Sequence, residues 1–109
     1  MPGSRTNKVL DGITVPTASD VKHFQRARDE TGLVFLNVTG TGINLNCKVQ
    51  GRPDSSSAWY NLIQIVETDL SSGAAGGTVA VVIALFPQMR LNANVFTGTT
   101  PVLDGWLIE

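Results

Sequence analysis

Apolar and polar residues alternate along most of the chain. In residues 43–50, Ile43, Leu45, Cys47 and Val49 occupy one phase while Asn44, Asn46, Lys48 and Gln50 occupy the other. A period of two predicts a strand with one buried and one wetted face, because successive side chains leave a pleated backbone on opposite sides. Residues 33–39, rich in Val, Phe and Leu, predict a second strand that stops at Gly40-Thr41-Gly42. The glycines and the short connection predict a tight reversal, which would make 33–39 and 43–50 a hairpin. Gly, Pro, Asp and serines in 51–57 predict another turn. Residues 59–67 then predict a strand, with Trp59, Asn61, Ile63 and Ile65 opposed to Tyr60, Leu62, Gln64 and Val66.

The small residues of 71–77 read as a flexible surface loop. Residues 78–86 are apolar almost without interruption and predict a strand buried on both faces, stopped by Pro87. Alternation returns in 88–96, with Met89, Leu91, Ala93 and Val95 inward and Arg90, Asn92 and Asn94 outward. A turn at 97–101 precedes a closing strand, 102–108, in which Trp106 shares a phase with Val102 and Ile108 and is expected at the core or its rim. Nearer the start, 13–15 suits a short edge strand ended by Pro16. Residues 21–28 fit helical and strand spacing alike and are assigned to a strand because everything after them is β. Residues 1–12 are mostly polar and read as a flexible N-terminal arm, followed by one domain over 13–109. Seven or eight strands joined by Gly-, Ser- and Thr-rich turns predict an all-β fold, an antiparallel β-sandwich of jelly-roll type.

Composition narrows the function classes. At 109 residues the chain suffices for one domain with its own core. Only 16% of residues are charged and the net charge is −1, which argues against capture of a nucleic-acid backbone by a basic surface. Met1 to Asn7 lack the apolar stretch of a signal peptide, and no run approaches the ~20 apolar residues of a membrane helix, so synthesis in the cytoplasm and no membrane partner are expected. The sequon Asn37-Val38-Thr39 is then a chance match.

Reactive chemistry is sparse. His23 is the sole histidine, with no nucleophile at a recognisable motif, and Cys47 lies in the apolar phase of a strand as a small buried hydrophobe. One His and one Cys far apart cannot assemble a usual zinc site, and no spaced acidic loop suits calcium. The carboxylates Asp29, Glu30, Glu67, Asp69, Asp104 and Glu109 fall at strand ends and loops, as solvated charge does. No catalytic activity, metal or cofactor is expected. Two features carry binding value: Asn44, Asn46, Asn92 and Asn94 would place amides in rows on an outward face, and Trp59 could offer an aromatic platform for a sugar.

The order of landmarks resembles the small capsid decoration, or cement, proteins of tailed bacteriophages and related head or tail accessory domains. The residues that carry it are Leu33-Val34-Phe35-Leu36-Asn37-Val38-Thr39, Leu45-Asn46-Cys47-Lys48-Val49-Gln50-Gly51 and Trp59-Tyr60-Asn61-Leu62. Phe86-Pro87-Gln88-Met89-Arg90-Leu91-Asn92-Ala93 and Trp106-Leu107-Ile108 follow. This covers residues 33–108 and is a hydrophobic pattern without a catalytic signature. It implies a structural protein on the outer capsid surface of the virion, bridging major capsid protein subunits, with self-association as a dimer or trimer. On that reading Arg5, Asn7 and Lys8 of the arm would join Asn44, Asn46, Asn92, Asn94 and Trp59 in partner binding, and removing 1–12 would weaken attachment without unfolding the domain. A carbohydrate-binding or host-adhesion module, or a tail or fibre accessory domain, is the alternative.

Overall fold

The computed structural model describes residues 6–24 and 31–109. Its strands are β1 (Thr6–Ile13), β2 (Thr17–Ala18), β3 (Lys22–His23), β4 (Thr31–Arg52), β5 (Tyr60–Val66), β6 (Gly77–Ala84) and β7 (Gln88–Ile108). Two single-turn 3-10 helices, Glu67–Asp69 and Gly73–Ala75, lie between β5 and β6. All seven strands belong to one antiparallel sheet, so the all-β antiparallel expectation holds.

The sheet is organised by its two longest strands, β4 and β7, of 22 and 21 residues. They pair along their whole length, from Leu33 opposite Ile108 to Arg52 opposite Gln88. The expected hairpin between 33–39 and 43–50 is therefore corrected: both segments are one strand, and each pairs with β7. The turn expected at 97–101 is likewise the middle of β7, with Thr99 opposite Thr41. Here the backbone takes positive φ at Gly40 (121°), Gly42 (59°) and Thr100 (47°), and the ladder slips between Thr39, Thr41 and Asn44. Glycine chemistry that would close a hairpin instead creases two long strands at one level.

The crease folds the sheet over itself. A Cβ on Gly105 would lie 2.9 Å from Leu91 Cδ1, 3.1 Å from Leu36 Cδ2 and 3.4 Å from Leu10 Cβ. At a rise of about 3.3 Å per residue, a straight strand from Leu91 to Gly105 would extend roughly 45 Å. The molecule's greatest dimension is 39 Å, so β7 must double back. β4 does the same: Gly32 near its start packs on Leu85 and Gly51 near its end on Phe86, consecutive residues of the β6–β7 connection. The result is two facing layers with strands passing from one to the other. The first contains 31–39, 102–108, β1 and β6; the second contains 43–52, 88–97, β2, β3 and β5.

The inward phases of both layers form one core. Val34, Leu36, Val38, Leu103 and Leu107 from the first layer join Leu45, Cys47, Val49, Leu91 and Ala93 from the second, all essentially inaccessible to water. Cys47 is fully buried, as expected of a small hydrophobe, and burial pushes its thiol pKa up to about 12.

Several expectations change in this frame. From Thr6 onward the arm is strand β1, paired with 103–108 and burying Leu10 to 1% exposure, so the domain does not begin at 13. Asn94 is an extra residue between Val95, opposite Asn46, and Ala93, opposite Cys47; this bulge sends Val95 outward and seats Phe96 in the core. Trp106 lies on the outer face because Leu103, Gly105 and Leu107 hold the inward phase. β6 is buried on one face only: Ala80, Val82 and Ala84 are exposed. The 71–77 segment is a hydrogen-bonded turn, closed by Ser71 N–H to Thr78 O and Ser72 N–H to Gly76 O. Of the described residues 21–24, Lys22–His23 is strand and Phe24 is buried; 25–28 lie outside the described residues.

Candidate functional site

The outward phase of the second layer carries a row of polar side chains: Lys48, Gln50 and Arg52 on β4, and Gln88, Arg90 and Asn92 on β7. Antiparallel register sets Gln50 opposite Arg90 and Arg52 opposite Gln88. Each arginine Nε donates to a glutamine across or beside it: Arg90 Nε to Gln50 Oε1 at 2.7 Å, and Arg52 Nε to Gln88 Oε1 at 2.8 Å. Gln50 in turn donates through Nε2 to Asn61 Oδ1 at 2.7 Å, which explains how a side chain only 7% exposed keeps its polar atoms satisfied.

A bulge on β5 brings the aromatic component. Val49 lies opposite Ile63 but Gln50 lies opposite Asn61, so Leu62 is the extra residue. Simple alternation would keep Trp59 and Asn61 in phase with the inward Ile63 and Ile65. The bulge reverses that phase and turns both residues to the outer face. There the Trp59 ring centre lies 4.1 Å from Arg52 Cζ and 4.6 Å from Arg90 Cζ, so one indole carries two cations. Among the described residues neither guanidinium has a carboxylate partner. Burial first, and then the charge of Arg52, lower the pKa of Arg90. Arginine nonetheless stays protonated near neutrality.

The residues expected from the sequence are scattered over this framework. Lys48, Asn92 and the half-buried Asn46 continue the outward face that holds Trp59; Asn44 and Asn94 are exposed nearer the crease. The Oδ1 of Asn46 is buried without a hydrogen-bond partner among the described residues. Asn7 is on β1, where its Nδ2 donates to Leu107 O at 3.4 Å, a contact that fastens the strand. Lys8 is on the opposite layer, bridging Asp11 at 3.0 Å and Asp104 at 3.2 Å and lying 5.2 Å from the Trp106 ring centre. Of these two surface ion pairs only Lys8–Asp104 joins β1 to β7, and as a partly exposed pair it adds little to the strand pairing. Arg5 lies outside the described residues. The four asparagines thus do not form one amide row with Trp59, and the cluster's principal members, Arg52, Arg90, Gln50 and Gln88, were not expected as a group. Their outward phase is legible along each strand, but their meeting depends on cross-strand register.

The first layer presents a different outer face. Val82, Leu33 and Ile108 form one cross-strand row, and Ala80, Phe35 and Trp106 the next. Phe35 and Trp106 pack with ring centres 5.5 Å apart. Val82 is 69% exposed, and β6 has β4 as its only strand partner among the described residues. His23 is exposed on β3, and no group of metal-ligating side chains occurs among the described residues.

No protein-family pattern matches the chain. No characterised protein matches it in sequence. Its fold is similar to the crystal structure of the SPBc2 prophage-derived protein YomS, with a TM-score of 0.55 at 12% identity, covering 100% of this chain and 96% of that one. At that identity the likeness concerns the fold alone, over the whole length of this chain.

Proposed function

We propose that the chain is a structural protein of a bacteriophage particle, a head decoration protein that bridges neighbouring major capsid subunits on the outside of the shell and self-associates as a dimer or trimer. The sequence landmarks and the fold shared with a prophage-derived protein support a phage setting. The observation that carries a docking role is the outer edge of β6, which pairs with no strand among the described residues. Its sequence, Gly77-Thr78-Val79-Ala80-Val81-Val82-Ile83-Ala84, contains no charge and no proline. Edge strands normally carry such guards because their unpaired backbone groups recruit other strands. An unguarded edge beside an apolar face suits strand addition by a partner, in which main-chain bonds supply affinity. Bridging several subunits makes binding selective for the assembled lattice, whose stability rises by mass action.

The test is co-sedimentation of purified protein with assembled heads of the parent phage and with unassembled capsid subunits. Binding to heads alone is expected, with loss in Val82→Lys. No partition with heads overturns the reading. One observation favours the adhesion alternative: Tyr60 is 63% exposed and stacks on Phe86 at 6.4 Å and 21°. That reading predicts saturable glycan binding that Tyr60→Ala abolishes.

A further inference from the structure

We propose that Arg52, Trp59 and Arg90 form a carboxylate-binding site that docks an acidic segment of a partner protein. The site lies on the second layer and stands whether or not the β6 edge is used. Each guanidinium is oriented twice over, by its Nε bond to Gln88 or Gln50 and by the indole. Those Nε bonds leave the Nη edges of both forks as donors without a partner among the described residues. A planar fork matches a carboxylate through two parallel hydrogen bonds, which a lysine cannot reproduce.

Nothing described in the chain neutralises the pair. Asp54, the acid nearest in sequence, commits Oδ1 to Ser56 N at 2.9 Å, Ser56 Oγ at 2.6 Å and Ser57 Oγ at 3.3 Å. The two guanidinium charges packed on one ring repel, and a bound anion relieves that repulsion while gaining charge-assisted bonds. Protein fits better than nucleic acid. The cluster has two cations with Lys48 nearby, and the chain's net charge is −1, whereas a nucleic-acid track needs an extended basic surface. A sugar fits less well, since the cations already occupy the indole.

The experiment follows the arginine Nε–H and tryptophan indole N–H signals of the ¹⁵N-labelled full chain by NMR during titration with an oligoglutamate peptide, inorganic phosphate and a thymidine oligonucleotide. Saturable shifts at Arg52, Arg90 and Trp59 with oligoglutamate are expected, weakened about tenfold by Arg52→Gln or Arg90→Gln and suppressed by salt. Arg90→Lys, which keeps the charge and loses the fork, is expected to bind at an intermediate level and controls for any folding defect. Absent shifts, or equal affinity in both glutamine variants, overturn the proposal. Tighter binding of phosphate or the oligonucleotide than of oligoglutamate overturns it too.

Discussion

At the residue scale, Cys47 shows how burial controls chemistry. In the fold its thiol stays protonated up to about pH 12, whereas it ionises near its ordinary 9.0 once exposed. Unfolding therefore releases a proton between those values. The stabilisation is complete below pH 9.0 and falls as pH rises through that window, by up to about 1.4 kcal/mol per pH unit. Urea unfolding of the wild type and Cys47→Ala across this range is expected to show the extra slope only in the wild type. Gly105 makes a second residue-scale case, because the space a side chain would need is filled by Leu91, Leu36 and Leu10. Gly105→Val is expected to destabilise the fold by about 1–3 kcal/mol through overpacking, read as a shifted denaturation midpoint. A midpoint unchanged from wild type would mean that the layers are not in contact there.

At the element scale, the crease and the bulges matter more than the strands' intrinsic preferences. A Cβ on Gly40 would come within 3.0 Å of Pro101 Cα and the Thr99 and Thr100 carbonyl oxygens, at a φ of 121° that side chains resist. Gly40→Val is expected to lose more than about 2 kcal/mol, whereas substitution of exposed Asn44 stays within about 0.5 kcal/mol; thermal melts distinguish the two. Deleting residues 1–12 removes most of β1 and the buried Leu10, so a lowered melting temperature is expected before any effect on partner binding. What was legible in the sequence was the phase within a strand, as with Ile43, Leu45, Cys47 and Val49, because period two is a local property. The meaning of Gly40-Thr41-Gly42 was not legible: a hairpin turn and a crease use the same residues, and only the strand lying opposite tells them apart. Val95 was misplaced for a related reason: the bulge at Asn94 shifts the phase by one residue without an obvious local mark, as the bulge at Leu62 does in taking Trp59 and Asn61 out of phase with Ile63 and Ile65.

At the scale of the whole molecule, one folded sheet offers two unlike outer faces. The second layer presents polar groups organised around Trp59, and the first presents the apolar rows of Leu33, Phe35, Ala80, Val82, Trp106 and Ile108. Such a division suits a protein that contacts more than one neighbour, and the proposed function makes the β6 edge its principal attachment. Val82→Lys is expected to leave stability within about 0.5 kcal/mol of wild type while reducing particle binding, because the side chain is exposed and the change guards the edge. The most direct test is amide hydrogen exchange of the bound and free protein, followed residue by residue on assembled heads. Strand addition predicts that alternate amides of β6 gain protection on binding while the β4–β7 ladder is unchanged. Binding that leaves every β6 amide at its free-protein exchange rate would contradict the account.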